Sequence, residues 1–220
     1  MEETNFVLLW KEQYEKIDQA LVINKRLLHD SLSQKAENTL RSLIRSKALG
    51  VVAAILYLAL LGFALFVAFR HYSPAANYFI VSIGAIFLFN VKAAFDYIRH
   101  MVIVGTIDYN GSVVEIQQRL TMLQLSIIRH IRTMFLQLPF WTTFFLSSAW
   151  FPSKVNGGYV ALQITITGTF VWIALFLYRS LTAQNMGKKW VKSILSGAGA
   201  TKVTKALAFY TEIEEFKVTA

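Results

Sequence analysis

The chain has 220 residues, a mass of 25.0 kDa and a formal net charge of +9 at pH 7. Hydrophobic residues make up 55% of it and charged residues only 16%, which argues against a soluble protein and excludes intrinsic disorder. The absence of cysteine excludes disulfides, thiolate metal sites and cysteine nucleophiles.

The first 47 residues form a polar, amphipathic segment. From Trp10 to Leu28, apolar residues recur at steps of four and three, which is typical of one face of an amphipathic or coiled-coil helix. We expect the following residues of this face to bind a partner, or else to lie in a helical core: Trp10, Tyr14, Ile17 and Leu21. A second stripe follows at Leu32, Ala36, Leu40 and Leu43. The phase shift between the stripes predicts a break or kink near residues 29–33.

Four apolar segments approach the length of about 20 residues that a membrane-crossing helix needs. They cover residues 48–69, 77–95, 133–151 and 159–178. Continuous apolar runs favour helices over the alternating strands of a membrane barrel. The sequence therefore predicts an all-α integral membrane protein with four transmembrane helices and a cytoplasmic helical bundle. We expect a cytoplasmic amphipathic segment at 1–47, a transmembrane region at 48–178 and a cytoplasmic amphipathic tail at 179–220.

Basic residues are distributed unevenly among the connections. Nineteen of the 22 lysines and arginines lie before the first apolar segment, between the second and third, or after the fourth, whereas Arg70 and Lys154 alone occupy the other two connections. Because basic residues mark the cytoplasmic side, we expect a multi-pass protein of the bacterial inner membrane with both termini in the cytoplasm. The positive charge is then a topogenic signal and a contact with anionic lipid. The cations are dispersed and form no nucleic-acid recognition module, so no nucleic-acid partner is expected.

The central connection has the clearest heptad pattern, at Val113, Ile116, Leu120, Leu123, Ile127 and Ile131. Ser112 and Glu115 have the spacing of a capping box. Because no helix breaker follows before Pro139, we expect one helix from about Val113 into the third apolar segment, and a long cytoplasmic helical hairpin over 97–132. The tail has a hinge at 196–200 and then a stripe at Val203, Leu207, Tyr210 and Ile213. Each apolar stripe must be buried against another helix, which predicts a helical bundle. A second copy of the chain in a homo-oligomer is another way to bury these stripes.

Few polar residues interrupt the apolar segments, where charges are costly and often functional. The candidate intramembrane polar residues are Asn90, Lys92, Asp96, Gln137 and Gln163. Lys92 and Asp96 are four apart on one helix face, so we expect a local ion pair with the lysine reaching the headgroups. A polar gate or a partner contact is the alternative. Gln137 and Gln163 are typical of interhelical hydrogen bonds, and Pro139 of a kink.

Catalytic motifs are missing from the sequence. The histidines at 29, 71, 100 and 130 lie on different segments, and we expect them at the surface or the membrane interface. No pair has the spacing of a zinc-protease helix, and no nucleophile elbow occurs. Residues 197–202 lack the glycine that precedes lysine in a phosphate-binding loop, and we interpret them as a linker. We therefore predict a protein that is not an enzyme and has no catalytic residue, metal site or cofactor.

Four stretches carry a resemblance to a known group, namely Leu8–Asp18, Asn77–Phe87, Ile107–Ser112 and Phe140–Thr143. They resemble a group of four-span inner-membrane proteins of the Bacteroidetes type, and the similarity covers nearly the whole chain. The resemblance implies a four-span fold and carries no activity or site residue with it. Some small membrane proteins of these bacteria accompany sigma factors as regulators, and the resemblance extends to function only through that association.

Long inner helices, short outer connections and no catalytic constellation favour a non-enzymatic scaffold or regulatory protein that binds a partner through its cytoplasmic helices. Its most concrete form is a membrane-tethered regulator. A transporter or channel subunit is the alternative, with a water-filled path lined by Asn90, Gln137, Gln163 and Thr167. A lipid-modifying enzyme ranks third, because no nucleophile with its base can be named.

Overall fold

The computed structural model describes residues 2–109 and 111–219, with side chains described within 10–109 and 111–215. The α-helices are α1 (Glu2–Arg70), α2 (Asn77–Gly105), α3 (Val113–Phe135), α4 (Gly157–Ser180), α5 (Lys189–Gly197) and α6 (Ala200–Thr219). Short 3-10 helices occupy Pro74–Ala76, Leu138–Thr142 and Ala183–Asn185. Neither described range contains a strand, which confirms the all-α class.

Among the residues that the structure describes, three helices are long and apolar enough to cross a membrane, namely α2, α4 and the C-terminal part of α1. Their apolar side chains mostly face outwards, and those of Leu56, Leu88 and Trp172 are 68%, 68% and 65% exposed. Such a continuous apolar surface would be unfavourable in water, whereas lipid accepts it because each helix bonds its own backbone groups. The three helices therefore indicate a membrane protein.

The polar parts of the helices pack around one hydrophobic core, and we call this part the bundle. It consists of residues 28–47 of α1, the end of α2, and α3, α5 and α6. The core confirms the predicted stripes, since the following residues are buried: Leu32, Ala36, Leu40, Leu43, Val113, Ile116, Leu120, Leu123, Ile127, Ile131, Val203, Tyr210 and Ile213. We call this side of the membrane helices the bundle side, and the side near Arg70 and Pro74 the far side.

The predicted break near residues 29–33 is wrong, because α1 is one helix from Glu2 to Arg70. No proline occurs in this helix, and its first glycine is Gly50. The buried stripe advances from Leu28 in steps of four, each of which rotates the buried face by about 40°. The phase shift in the sequence is thus a drift of the buried face around a continuous helix.

The third apolar segment is not the continuous helix that the sequence predicts. α3 ends at Phe135, and residues 136–156 form the 3-10 helix Leu138–Thr142 and a series of turns. Pro139 explains the position of this end, because a proline ring excludes a helical hydrogen bond to the carbonyl four residues earlier, which belongs to Phe135. The described residues therefore contain three membrane-length helices rather than four, and the predicted four-span arrangement is not confirmed.

Residues 137–151 nevertheless follow α2 over most of its apolar length. Gln137 contacts Asn90 near the bundle side, with 3.2 Å between Nδ2 of Asn90 and Oε1 of Gln137. Thr143 is 2.8 Å from Ser82, oxygen to oxygen, and the Ser147 hydroxyl donates to the carbonyl of Ala75 on the far side, at 2.9 Å. From Asn90 to Ala75, α2 and the turn before it span about 22 Å. The segment thus passes from the bundle side to the far side without an α-helix.

The capping box predicted at the start of α3 does not form. Ser112 is the N-cap residue, but its side chain makes no capping hydrogen bond. Glu115 instead receives two N–H groups of Arg119, at 3.0 and 3.2 Å. A charge-assisted bond of this kind is stronger than a bond to a backbone N–H, which explains why the Glu115 carboxylate bonds Arg119 and not the backbone of the N-cap residue.

The predicted hinge in the tail is confirmed at Gly199, between α5 and α6. Its φ is +90°, a conformation that residues with a side chain rarely adopt. A Cβ atom at this position would lie 2.3 Å from Cδ1 of Leu43. Glycine therefore allows both the turn and the close approach of α6 to α1.

Candidate functional site

The face of α1 predicted to bind a partner lies outside the bundle core. Trp10, Tyr14 and Ile17 are 62%, 71% and 67% exposed, and Leu21 is half-buried. Among the side chains that the structure describes, the apolar core begins at Leu28. The alternative prediction, that these residues form the core of the bundle, is therefore wrong, whereas partner binding stays a prediction.

Residues 10–27 extend beyond the core for about 27 Å as a helical projection. Val22, Ile23 and Leu27 are also exposed, so this projection carries large apolar side chains on more than one face. Exposed apolar surface of this kind on a polar part of the chain is typical of an interaction site. We call residues 10–27 the α1 projection.

The predicted intramembrane polar residues lie in three separate groups, of which Asn90 with Gln137 and Gln163 with Thr142 are two. Asn90 donates to Gln137 and to the carbonyl of Ile86. Gln163 is buried and donates to the carbonyl of Thr142 at 2.6 Å and to the Thr167 hydroxyl at 3.2 Å. These bonds satisfy polar groups of the non-helical segment, as membrane-depth backbone requires. Gln137 and Gln163 thus form hydrogen bonds between segments, but each bond joins an α-helix to the segment 136–156 rather than two membrane helices to each other.

Lys92 and Asp96 form the predicted ion pair, but it is part of a larger cluster. Nδ1 of His130, on α3, lies 2.9 Å from the same Asp96 oxygen that Lys92 contacts. From α1, Nζ of Lys47 lies 4.6 Å from the centre of the Tyr97 ring. The cluster therefore joins α1, α2 and α3 at the bundle end of the membrane helices, and we call it the Asp96 cluster.

Two histidines of the Asp96 cluster are buried, contrary to the prediction of surface or interfacial histidines. His100 is 1% and His130 is 4% exposed, and their ring centres are 6.0 Å apart. The sequence carried a signal for this burial, since His130 continues the heptad stripe three residues after Ile127, and His100 follows Asp96 by one helical turn. The prediction considered only the segment on which each histidine lies, whereas the face of the helix that it occupies indicates its burial.

The electrostatics of His130 reflect its burial. Removal from water lowers the pKa of His130, while the hydrogen bond and the charge of Asp96 act in the opposite direction. Lys47 and Lys92 lower the pKa further by charge repulsion. The neutral imidazole is thus favoured, and its Nδ1–H donates to the Asp96 carboxylate.

The Asp96 cluster fixes helix positions and contains no nucleophile paired with a base. One carboxylate faces two lysines, so the cluster keeps a positive charge at the bundle end of the membrane helices. Within residues 10–109 and 111–215, no group of three or more His, Cys, Asp or Glu side chains is placed to hold a metal ion. The cluster can therefore hold three helices together and present charge.

The hydroxyl groups of Ser33 and Tyr210 are also buried in the bundle, and neither has a hydrogen-bond partner among the described residues. Burial raises the pKa of Tyr210, and the neighbouring Ser33 hydroxyl acts against this rise. Burial also raises the pKa of Tyr109 to about 12. Both tyrosines are therefore neutral. Tyr210 is buried on α6, whereas Tyr109 is half-buried in the connection between α2 and α3 and packs against the core.

Comparison with known proteins adds no relative. No protein-family model, no curated protein and no solved structure matches the chain.

Proposed function

We propose that the chain is a non-enzymatic scaffold or regulatory protein of the bacterial inner membrane, which binds a cytoplasmic partner protein through the α1 projection. The observation that carries this proposal is the exposure of Tyr14 and Ile17 on a helix that extends beyond a well-packed bundle. A membrane-tethered regulator is its most concrete form. The contact residues are Trp10, Tyr14, Ile17 and Leu21.

The proposed mode of binding is a helix that lays its apolar face into the groove of a partner. The four contact residues recur at steps of four and three, which aligns them on one side of the α1 projection. The same helix continues without a break into the membrane, so a bound partner would be held at a fixed distance from the bilayer.

The proposed topology has four crossings, with both termini in the cytoplasm. Residues 137–151 supply the third crossing as non-helical backbone, supported by their contacts with α2 from Asn90 to Ala75. The packing of α6 against the polar part of α1 also supports an even number of crossings, since both elements then lie on one side of the membrane. The basic residues at that side favour the cytoplasm.

Partner binding is tested by site-specific photocrosslinking from position 18, an exposed position beside the contact residues, in membranes of the source bacterium, followed by purification in mild detergent. The variant Tyr14→Ser/Ile17→Ser should lose the crosslinked partner. The matched control, Gln19→Ser/Ile23→Ser, changes the opposite face of the same helix and should retain it. Crosslinks to a second copy alone, or equal loss in both variants, would contradict the proposal.

The topology is tested with single cysteines, for which a chain without cysteine is well suited. Lys154→Cys and Lys188→Cys place thiols at exposed positions before and after α4. In intact cells a membrane-impermeant maleimide should label position 154 and leave position 188 unlabelled until the membrane is broken. Labelling of position 188 from outside would contradict the cytoplasmic tail.

A further inference from the structure

A groove of about 550 Å³ runs between α2 and α3 on the outward side of the bundle. Arg99 and Ile103 line it from α2, and Met122, Ser126 and Arg129 line it from α3. Arg119 and Glu115 line the end of the groove that is farther from the membrane helices. The groove is thus bounded by guanidinium groups at both ends, with apolar side chains between them.

The charge of the groove is unbalanced. Three arginines face one carboxylate, and that carboxylate is held by Arg119, which also donates to the carbonyl and the hydroxyl of Thr106. Within the described part of the chain, Arg99 and Arg129 form no ion pair, and both are exposed. Two guanidinium groups on facing helices are therefore available to one anion, with an excess of two positive charges.

Ser126 supplies a further donor by way of the buried His100. Nε2 of His100 lies 3.1 Å from the Ser126 hydroxyl, whereas Nδ1 has no hydrogen-bond partner in the described residues. A buried N–H without a partner is rarer and costlier than an under-used acceptor, so the proton belongs on Nε2. Nε2–H then donates to the Ser126 oxygen, and the hydroxyl proton of Ser126 is free to donate into the groove.

The groove opens next to the membrane surface. Arg99 follows Asp96 by three residues, or about 4.5 Å along α2, and Asp96 lies just beyond the apolar part of that helix. The neighbouring side chains of Phe95 and Ile98 are exposed and apolar. In the proposed topology, Arg99 and Arg129 therefore stand at the depth where the phosphates of phospholipid headgroups lie.

We propose that this groove binds a phosphate group, held by the guanidinium groups of Arg99 and Arg129 and by the Ser126 hydroxyl. Arginine forks match the oxygens of a phosphate geometrically, and a serine hydroxyl completes the set of donors. The phosphate belongs either to an anionic phospholipid headgroup or to a soluble phosphate compound, and the two sources share the same contacts.

The test uses the full chain purified in a neutral detergent, with two probes. Native mass spectrometry measures the retention of phosphatidylglycerol against phosphatidylcholine, and calorimetry measures the binding of inorganic phosphate. Arg99→Gln/Arg129→Gln should weaken the binding of whichever probe the parent chain binds more tightly by about 30-fold. This factor corresponds to the loss of two juxtamembrane arginine contacts. Ser126→Ala should weaken it about 5-fold, as loss of one neutral hydrogen bond does.

The matched control is Arg45→Gln/Arg179→Gln, which removes the same charge at exposed positions near the same membrane surface but outside the groove. It should change binding less than twofold. Loss confined to phosphatidylglycerol assigns the site to a lipid headgroup, and loss confined to inorganic phosphate assigns it to a soluble compound. Equal loss in both double variants, or no selective binding of either probe, would overturn the proposal.

Discussion

Asp96 accepts a hydrogen bond from Nδ1 of His130 at 2.9 Å, across the interface of α2 and α3. The same carboxylate oxygen contacts Lys92 of its own helix. One atom thus connects two helices and balances one of the lysine charges at the end of the membrane region. Several expectations for stability follow from this relationship and from the packing around it.

Replacement Asp96→Asn should lower the free energy of unfolding by about 3 kcal/mol, because it leaves partly buried positive charge without its partner. The measurement is thermal or denaturant unfolding in detergent, followed by circular dichroism. Asp30→Asn, at an exposed position on α1, should change stability by less than about 0.5 kcal/mol. Equal effects of the two replacements would show that the Asp96 cluster does not stabilise the fold.

Stability should fall when the pH is lowered from about 7 to about 5, since an unperturbed histidine titrates near pH 6.5. Burial lowers the pKa of His130 and lowers that of His100 to about 4, so the unfolded chain binds more protons than the folded chain in this range and protonation favours unfolding. The groups of the Asp96 cluster around His130 are Lys47, Lys92, Asp96, Tyr97 and His100.

The comparison variant for this pH dependence is His130→Gln, which keeps a donor for Asp96 but does not titrate. Its unfolding free energy should change less with pH than that of the parent chain. A pH profile of equal slope in both proteins would contradict the assignment of the proton-linked loss to His130.

Gly199→Ala should destabilise the bundle by about 2 kcal/mol or more, because it combines a positive φ with a contact to Leu43 too short for a Cβ atom. Gly197→Ala is the matched replacement two residues earlier. Its Cβ would meet no atom within 4 Å, and it lies at the end of α5, so stability should be unchanged or slightly higher. Melting temperatures of the two variants, measured side by side, give the answer.

Leu123→Ala should cost about 3 kcal/mol, since Leu123 is fully buried in the bundle and its truncation leaves a cavity. Ile17→Ala, in the α1 projection, should leave the unfolding free energy nearly unchanged because Ile17 is exposed. The pair separates a residue that holds the fold from one that is available for binding. A large loss of stability in Ile17→Ala would place the projection in a core.

Gln163→Leu should destabilise the membrane region by about 1–2 kcal/mol, because the Thr142 carbonyl loses its buried donor. Thr165→Val is the comparison on the same helix, since the Thr165 hydroxyl bonds only the carbonyl of Ala161 within α4. In detergent, Gln163→Leu should therefore unfold more readily than Thr165→Val. If they unfold alike, the Gln163 side chain does not support the non-helical segment.

Local pattern alone determined the all-helical class, the apolar segments and the stripes of the bundle, because hydrophobic period and length act on neighbouring residues. Pro139 is likewise the local reason that α3 ends at Phe135. Thus Leu120 and Tyr210 could be assigned to a buried face from their spacing, and the Lys92–Asp96 pair from a single helical turn. The tertiary structure alone decided the rest. It brought His130 and Lys47 to Asp96, and it placed Arg99 and Arg129 along one groove. These relationships join residues distant in sequence, and only the packing of whole helices decides which of their side chains meet.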